Sequence, residues 1–273
     1  MDEKQKVIRA GVGAIILIVL GVAAYYLFFS GRGGNPAATG GPSAADKLAA
    51  EAAAVKDAAA GPPINAELDQ SDEAVRGLAA DLSSNAVFLE WLKSKDLIRR
   101  FVAAVDNIAN GQSPRPQVDF FVVRAPFKVF ERDGKTTVDP ASYDRYNVIA
   151  DVFESLSPAG CARLFESARP LIDQAYRDLG YPKGDFRQTL LRATNTVLRA
   201  PVVDLPLEVE KGVVSYAFKD PRYEALDEVE KHLLRMGPEN VQLIQAKLRA
   251  IALAMGFSEA QLPPVRASGP RPR

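Results

Sequence analysis

A single histidine, His232, and a single cysteine, Cys161, occur in 273 residues. One histidine excludes zinc sites that need two, the H-E-x-x-H arrangement among them. One cysteine excludes an internal disulfide and leaves the redox compartment open. The sequence also lacks G-x-S-x-G, S-x-x-K, a Walker loop, the dinucleotide glycine fingerprint and a calcium loop. Such motifs suffice for their chemistries without being required, so their absence weakens an enzyme without excluding one. Net charge is missing as well, 34 basic side chains balancing 34 acidic ones. Residues 67–262 carry −4, which makes no field that collects phosphates along a strand; nucleic acid is not expected as a partner.

What the chain does have begins at its N-terminus. Ala10 to Phe29 reads AGVGAIILIVLGVAAYYLFF, twenty residues without a charge. As a helix this stretch covers about 30 Å, the thickness of a hydrocarbon core, and Tyr25 and Tyr26 fall where amphipathic rings favour the headgroup boundary. A cleaved signal peptide would have a shorter apolar core and a small-residue site directly behind it. An uncleaved transmembrane helix over 10–29 is therefore expected. Lys4, Lys6 and Arg9 precede it, and only Arg32 follows closely. The positive-inside preference then keeps residues 1–9 in the cytoplasm and exports the rest, to a periplasmic location on the inner membrane.

Composition changes abruptly at Ser30. Residues 30–66 are rich in Ala, Gly and Pro and offer almost nothing to a core, so they read as a flexible linker. As random coil such a tether spans roughly 30–35 Å, and roughly 120 Å when drawn out. Residues 263–273 hold four prolines and three arginines and read as a disordered tail. One domain remains between them, 67–262.

The class expected for that domain is mostly α. Ser71 is an N-cap candidate before Ala74, Val75, Leu78 and Leu82; Val87, Phe88, Trp91 and Leu92 suit a second short helix. Leu97, Phe101, Val105 and Ile108 form a stripe stopped by Gly111, and a stronger one runs from Leu164 to Leu179, stopped by Gly180. Two alternating runs predict short β-hairpins, Phe127–Val138 turning at Asp133-Gly134 and Leu207–Phe218 turning around Lys211-Gly212.

Three strings, DLIRRFVAAVDNIANG (Asp96 to Gly111), AYRDLGYP (Ala175 to Pro182) and RMGPEN with KLRAI (Arg235 to Ile251), resemble a Gram-negative envelope family catalogued as a domain of unknown function. The likeness covers about 85–257. It implies an N-terminal anchor and a variable tether, and brings no activity, cofactor or catalytic residue to carry over.

The chain also echoes itself. VDPASY at Val138 and KDPRYE at Lys219 each follow a predicted hairpin and open a helix, with Asp as N-cap and Pro first. Each helix meets a second X-Pro start, Ser157-Pro158 or Gly237-Pro238, and each second helix ends at a glycine, Gly180 or Gly256. A hairpin–helix–helix pseudo-repeat over 113–181 and 200–257, within halves 85–181 and 182–257, is one reading. Shared capping chemistry alone is the other.

Residues able to carry chemistry have bland alternatives. Cys161 lies on the strongest stripe and suits a buried small hydrophobe. His232 has no recognisable base, nucleophile or metal beside it in sequence, and Trp91 suits packing better than ligand stacking. Arg99 and Arg100 could grip an anionic glycan or headgroup, although Asp96 stands four residues before Arg100 for an ordinary ion pair. Asp139, Asp144, Asp151 and Glu154 could supply a carboxylate pair, with Asp139 already accounted for as an N-cap. No catalytic, cofactor-binding or metal residue and no cofactor is assigned. The expectation is a membrane-anchored periplasmic binding or scaffold module with an envelope protein or cell-wall partner. The alternative is an envelope glycan- or lipid-acting hydrolase or transferase using carboxylates.

Overall fold

Asp72 explains how the helical part of the chain begins. In the computed structural model, which describes residues 61–118, 125–212 and 215–265, its carboxylate accepts the Asp96 N–H at 2.8 Å and the Leu97 N–H at 2.9 Å. Asp72 opens helix α1 (Asp72–Ala80) and Leu97 opens α3 (Leu97–Ala109). One helix thus caps the next, satisfying two amides that a helix start leaves bare. Ser71 makes no such bond for α1; its hydroxyl turns back to the Leu68 carbonyl at 2.8 Å and is buried. Between them α2 (Ala86–Trp91) is capped by Asn85, whose Oδ1 accepts from Val87 and Phe88.

The expected stretch 1–9, the membrane helix 10–29, residues 30–60 of the tether and the tail beyond 265 lie outside the described residues. Among the described residues no helix is long and apolar enough to cross a membrane. The last residues assigned to the tether belong to the domain. Ile64 packs against the core and its N–H donates to the Ser167 carbonyl at 2.8 Å.

Ten α-helices and two antiparallel hairpins make up the described residues. Hairpin β1 (Val129–Arg132) and β2 (Lys135–Val138) pairs Val129 with Val138 and Arg132 with Lys135. The two residues between, Asp133 and Gly134, both have positive φ, 52° and 72°, as the tight mirror-image turn requires. After it come α4 (Ala141–Asp144), α5 (Asn147–Ser155), α6 (Pro158–Asp178) and α7 (Phe186–Arg199). A second hairpin, β3 (Val209–Lys211) and β4 (Tyr216–Phe218), then leads to α8 (Pro221–Glu224), α9 (Glu228–Met236) and α10 (Pro238–Ala254). Its turn begins at Gly212: Lys211 pairs with Tyr216, and the Gly212 N–H donates to Ser215 O at 2.8 Å.

The pseudo-repeat is present in element order: hairpin, four-residue helix, nine-residue helix and long helix occur twice, with α7 between the copies. The long helices differ by one turn, 21 residues against 17. Both end alike. Gly180 N–H reaches Arg177 O and Tyr181 N–H reaches Tyr176 O; Gly256 and Phe257 repeat this on Leu253 and Ala252. These paired bonds satisfy the last carbonyls of each helix. The copies differ at their first helix. Asp220 is a true N-cap, whereas Asp139 lies one residue outside, Pro140 taking the cap position while the Asp139 carboxylate accepts from Ala141.

The copies are interlocked. Val138 N–H donates to Leu207 O at 3.0 Å, and Glu208 holds Lys135 of one hairpin and Lys219 beside the other, at 2.6 and 3.0 Å. One apolar cluster joins Val138 and Tyr143 to Leu207, Val209, Phe218 and Leu234; another joins Tyr146, Ile149 and Ala150 to Val229, Leu233 and Ile244. The largest cluster gathers α3, α6, α7 and the end of α10. Helix α3 is turned relative to its expected stripe: Ile98, Val102, Ala104 and Val105 are buried, while Phe101 is 38% exposed and meets Phe186 edge-on. It packs on both α6 and α7, so the arc it must bury is wider than one stripe. Leu78 and Leu179, counted as core from spacing, are also exposed.

Candidate functional site

Most residues singled out from sequence have structural occupations. Arg99 pairs with Asp69 at 2.6 Å and approaches Asp178 at 3.9 Å, and Arg100 donates to the Gln117 carbonyl. The Asp96 N–H bonds the Asp72 carboxylate. Trp91 is half-buried against the cluster around Tyr146. Asp139 serves the Ala141 amide, while Asp144, Asp151 and Glu154 are exposed on α4 and α5. A glycoside acid needs a carboxyl raised by burial, and exposed positions do not provide one. Cys161 is half-buried rather than buried. Burial pushes its thiol up to about 11, against a smaller opposing pull from the Lys247 ammonium. At neutral pH it is a protonated thiol and a poor nucleophile. Among the described residues no group of three or more His, Cys, Asp and Glu could hold a metal.

His232 is different, because of what surrounds it. It lies on α9, half-buried, edge-on to Tyr146 at 5.5 Å between ring centroids. Burial, followed by the charges of Arg115, Arg235 and Arg145, lowers its pKa to about 4. The charges of three arginines from three parts of the chain are therefore felt at the imidazole.

Each is held by local structure. Gly111, the positive-φ stop of α3, rests against the Asp227 side chain; Glu228 N–H donates to Gly111 O, and Ser113 N–H donates to the Glu228 carboxylate at 3.0 Å. These bonds moor the segment carrying Arg115 at the first turn of α9, one turn before His232. Arg145 follows α4 and lies over the Phe127 and Tyr146 rings at 5.5 and 5.2 Å, donating to the Ser142 and Ala125 carbonyls. Arg235, on α9 itself, lies 4.7 Å over Phe218 and donates to Lys231 O and Tyr216 O. The Phe127 and Tyr216 rings lie 5.7 Å apart, linking residues that hold Arg145 and Arg235.

Sequence reading passed over all three arginines, since they stand 30 and 90 residues apart with no shared motif. Arg235 does open the RMGPEN string, the only signal available. The rest of that string is structural. Gly237, at φ 87°, packs so close to the Tyr143 ring that a Cβ there would lie 2.7 Å from Cγ.

The described residues thus define a mostly helical domain with two short hairpins in which one order of elements occurs twice. Residues 97–252 match the model of a family described as a protein of unknown function, DUF3014, and the chain belongs to that family. No curated protein and no solved structure matches the chain.

Proposed function

We propose that the chain is a membrane-anchored binding module of a Gram-negative cell envelope. Residues 10–29 cross the inner membrane, residues beyond them form a tether, and the helical domain works in the periplasm on an envelope protein or cell-wall component. The anchor rests on an uncharged twenty-residue apolar stretch preceded by Lys4, Lys6 and Arg9. The binding role rests on one observation: His232 lies edge-on to Tyr146, whose ring Arg145 covers, with Arg235 three residues further along α9. A base with a pKa near 4 is weak at neutral pH, whereas fixed guanidinium groups collect an anion without chemistry.

A reporter enzyme that works only outside the cytoplasm, fused after Arg273, is expected to be active; activity of a cytoplasm-only reporter there overturns the orientation. Cutting residues 31–60 to a few residues should impair function in a deletion strain while the protein stays folded, because reach becomes limiting. If a soluble form lacking residues 1–30 restores the phenotype fully, tethering is not the mechanism. Carboxylate-dependent turnover then becomes the better account.

A further inference from the structure

Helix α2 is apolar and yet nowhere buried. Its sequence, AVFLEW, brings Val87, Phe88, Leu89 and Trp91, and Leu92 follows directly, but none of these side chains is enclosed by the domain. The helix is nevertheless firmly placed against α5. The Ser83 and Ser155 hydroxyls bond at 2.6 Å, and Ser83 also accepts the Asn85 N–H at the start of α2. Trp91 packs on the cluster that contains Ile149 and Ala150. The outer faces of α2 and α5 therefore adjoin. Val148 stands two turns before Ser155 on the same side of α5; it is 43% exposed, and Leu89 is 38% exposed. Large apolar residues gathered on one open face mark an interaction surface.

That surface is acidic on its α5 side. Asp144, Asp151 and Glu154 are exposed, and among the described residues no lysine or arginine pairs with any of them. Lys93, the base nearest in sequence to α2, is held by Glu90 at 2.6 Å. The chain carries a segment of complementary character. Residues 266–273, RASGPRPR, bring Arg266, Arg271 and Arg273 with Pro270 and Pro272 and no acid. Proline-rich chain is extended before it binds and docks on aromatic surfaces at low entropic cost. Reach is sufficient. On α10, Arg249 donates to the Pro263 carbonyl, and Lys247 donates to the Leu156 carbonyl at the end of α5, at 3.0 Å. These two side chains leave α10 in nearly opposite directions, and a helix is about 10–12 Å across. Eight extended residues cover about 25 Å.

We infer that residues 266–273 dock on their own domain, across the face shared by α2 and α5, with prolines against Phe88 and Trp91 and arginines beside Asp144, Asp151 and Glu154. The face is then an occupied surface that an outside partner has to win from the tail. This goes beyond the binding role proposed above and does not depend on it.

Trp91 is the only tryptophan and reports on its own surroundings. In detergent micelles, full-length protein ending after Val265 should show Trp91 emission shifted to the red of the intact chain, and stronger quenching by acrylamide. Its melting temperature should be unchanged, because Leu262, the last buried residue, is retained. A peptide of sequence RASGPRPR should restore the original emission saturably, less well at high salt. Asp151→Asn with Glu154→Gln should weaken the peptide about tenfold, and in the intact chain the same pair should reproduce the red shift without truncation. Identical Trp91 emission with and without residues 266–273 overturns the inference. So does a peptide with glutamate in place of its arginines that acts equally well. An emission of the intact chain that changes on dilution overturns docking within one chain.

Discussion

Asn240 holds Tyr143 in place from the far half of the repeat. Its side-chain amide donates to the Tyr143 carbonyl at 3.1 Å, to Asn147 Oδ1 at 3.0 Å and to the Met236 carbonyl at 2.9 Å. Two N–H groups thereby serve three acceptors, two at the α4–α5 junction and one at the end of α9, and Asn240 is buried. Replacing it with alanine strands buried acceptors, which costs roughly 1–3 kcal/mol. Chemical denaturation of Asn240→Ala should show that loss, and a loss below about 0.5 kcal/mol would mean water takes over the bonds.

The Tyr143 hydroxyl gives the opposite expectation. It is buried without a hydrogen-bond partner among the described residues, and burial pushes its pKa up to about 12. Removing a stranded hydroxyl removes its desolvation cost. Tyr143→Phe should leave stability unchanged or raise it by about 1 kcal/mol in the same denaturation experiment. A marked loss would reveal a partner for the hydroxyl.

Acid and alkali should separate the two lone titratable groups. His232 is lowered from 6.5 to about 4. Its contribution is therefore present above 6.5 and lost as pH falls through 4. Cys161 is raised from 9.0 to about 11, so its contribution is present below 9 and lost as pH rises through 11. His232→Gln should flatten the decline in stability between pH 6.5 and 4, and Cys161→Ser the decline between 9 and 11. Melting temperatures measured across both ranges decide each case, and unchanged slopes would contradict the assigned environments.

Much of this was legible before any coordinates. Asp133-Gly134 specified its hairpin because only residues that tolerate positive φ fit that turn. The glycines Gly111, Gly180 and Gly256 specified helix ends for a similarly local reason. Helix faces were less legible. The stripe through Leu97 and Phe101 was real, yet α3 meets two helices, and spacing along one helix does not record how many neighbours it has. The arginines felt at His232 were not legible at all. They come from a loop, a short helix and α9, and only the interlock of the copies lets one imidazole feel all three.

That interlock yields a further expectation. Since two of the three apolar clusters draw on both copies, neither 61–181 nor 182–265 buries a complete core alone. Expressed separately, each should show broad, uncooperative unfolding and rapid amide exchange, whereas the intact chain should unfold in a single transition. Cooperative folding of either piece would show that the copies are independent after all.

Ile64 also decides how a pull is received. Tension from the N-terminal side would first meet Ile64, held by its backbone bond to Ser167 of the 21-residue α6 and by its apolar packing. Gly61 to Ile64 thus mark the border of what the core holds: paying them out would add about 3.5 Å of chain per residue, and Ile64 is the first whose release costs core contact.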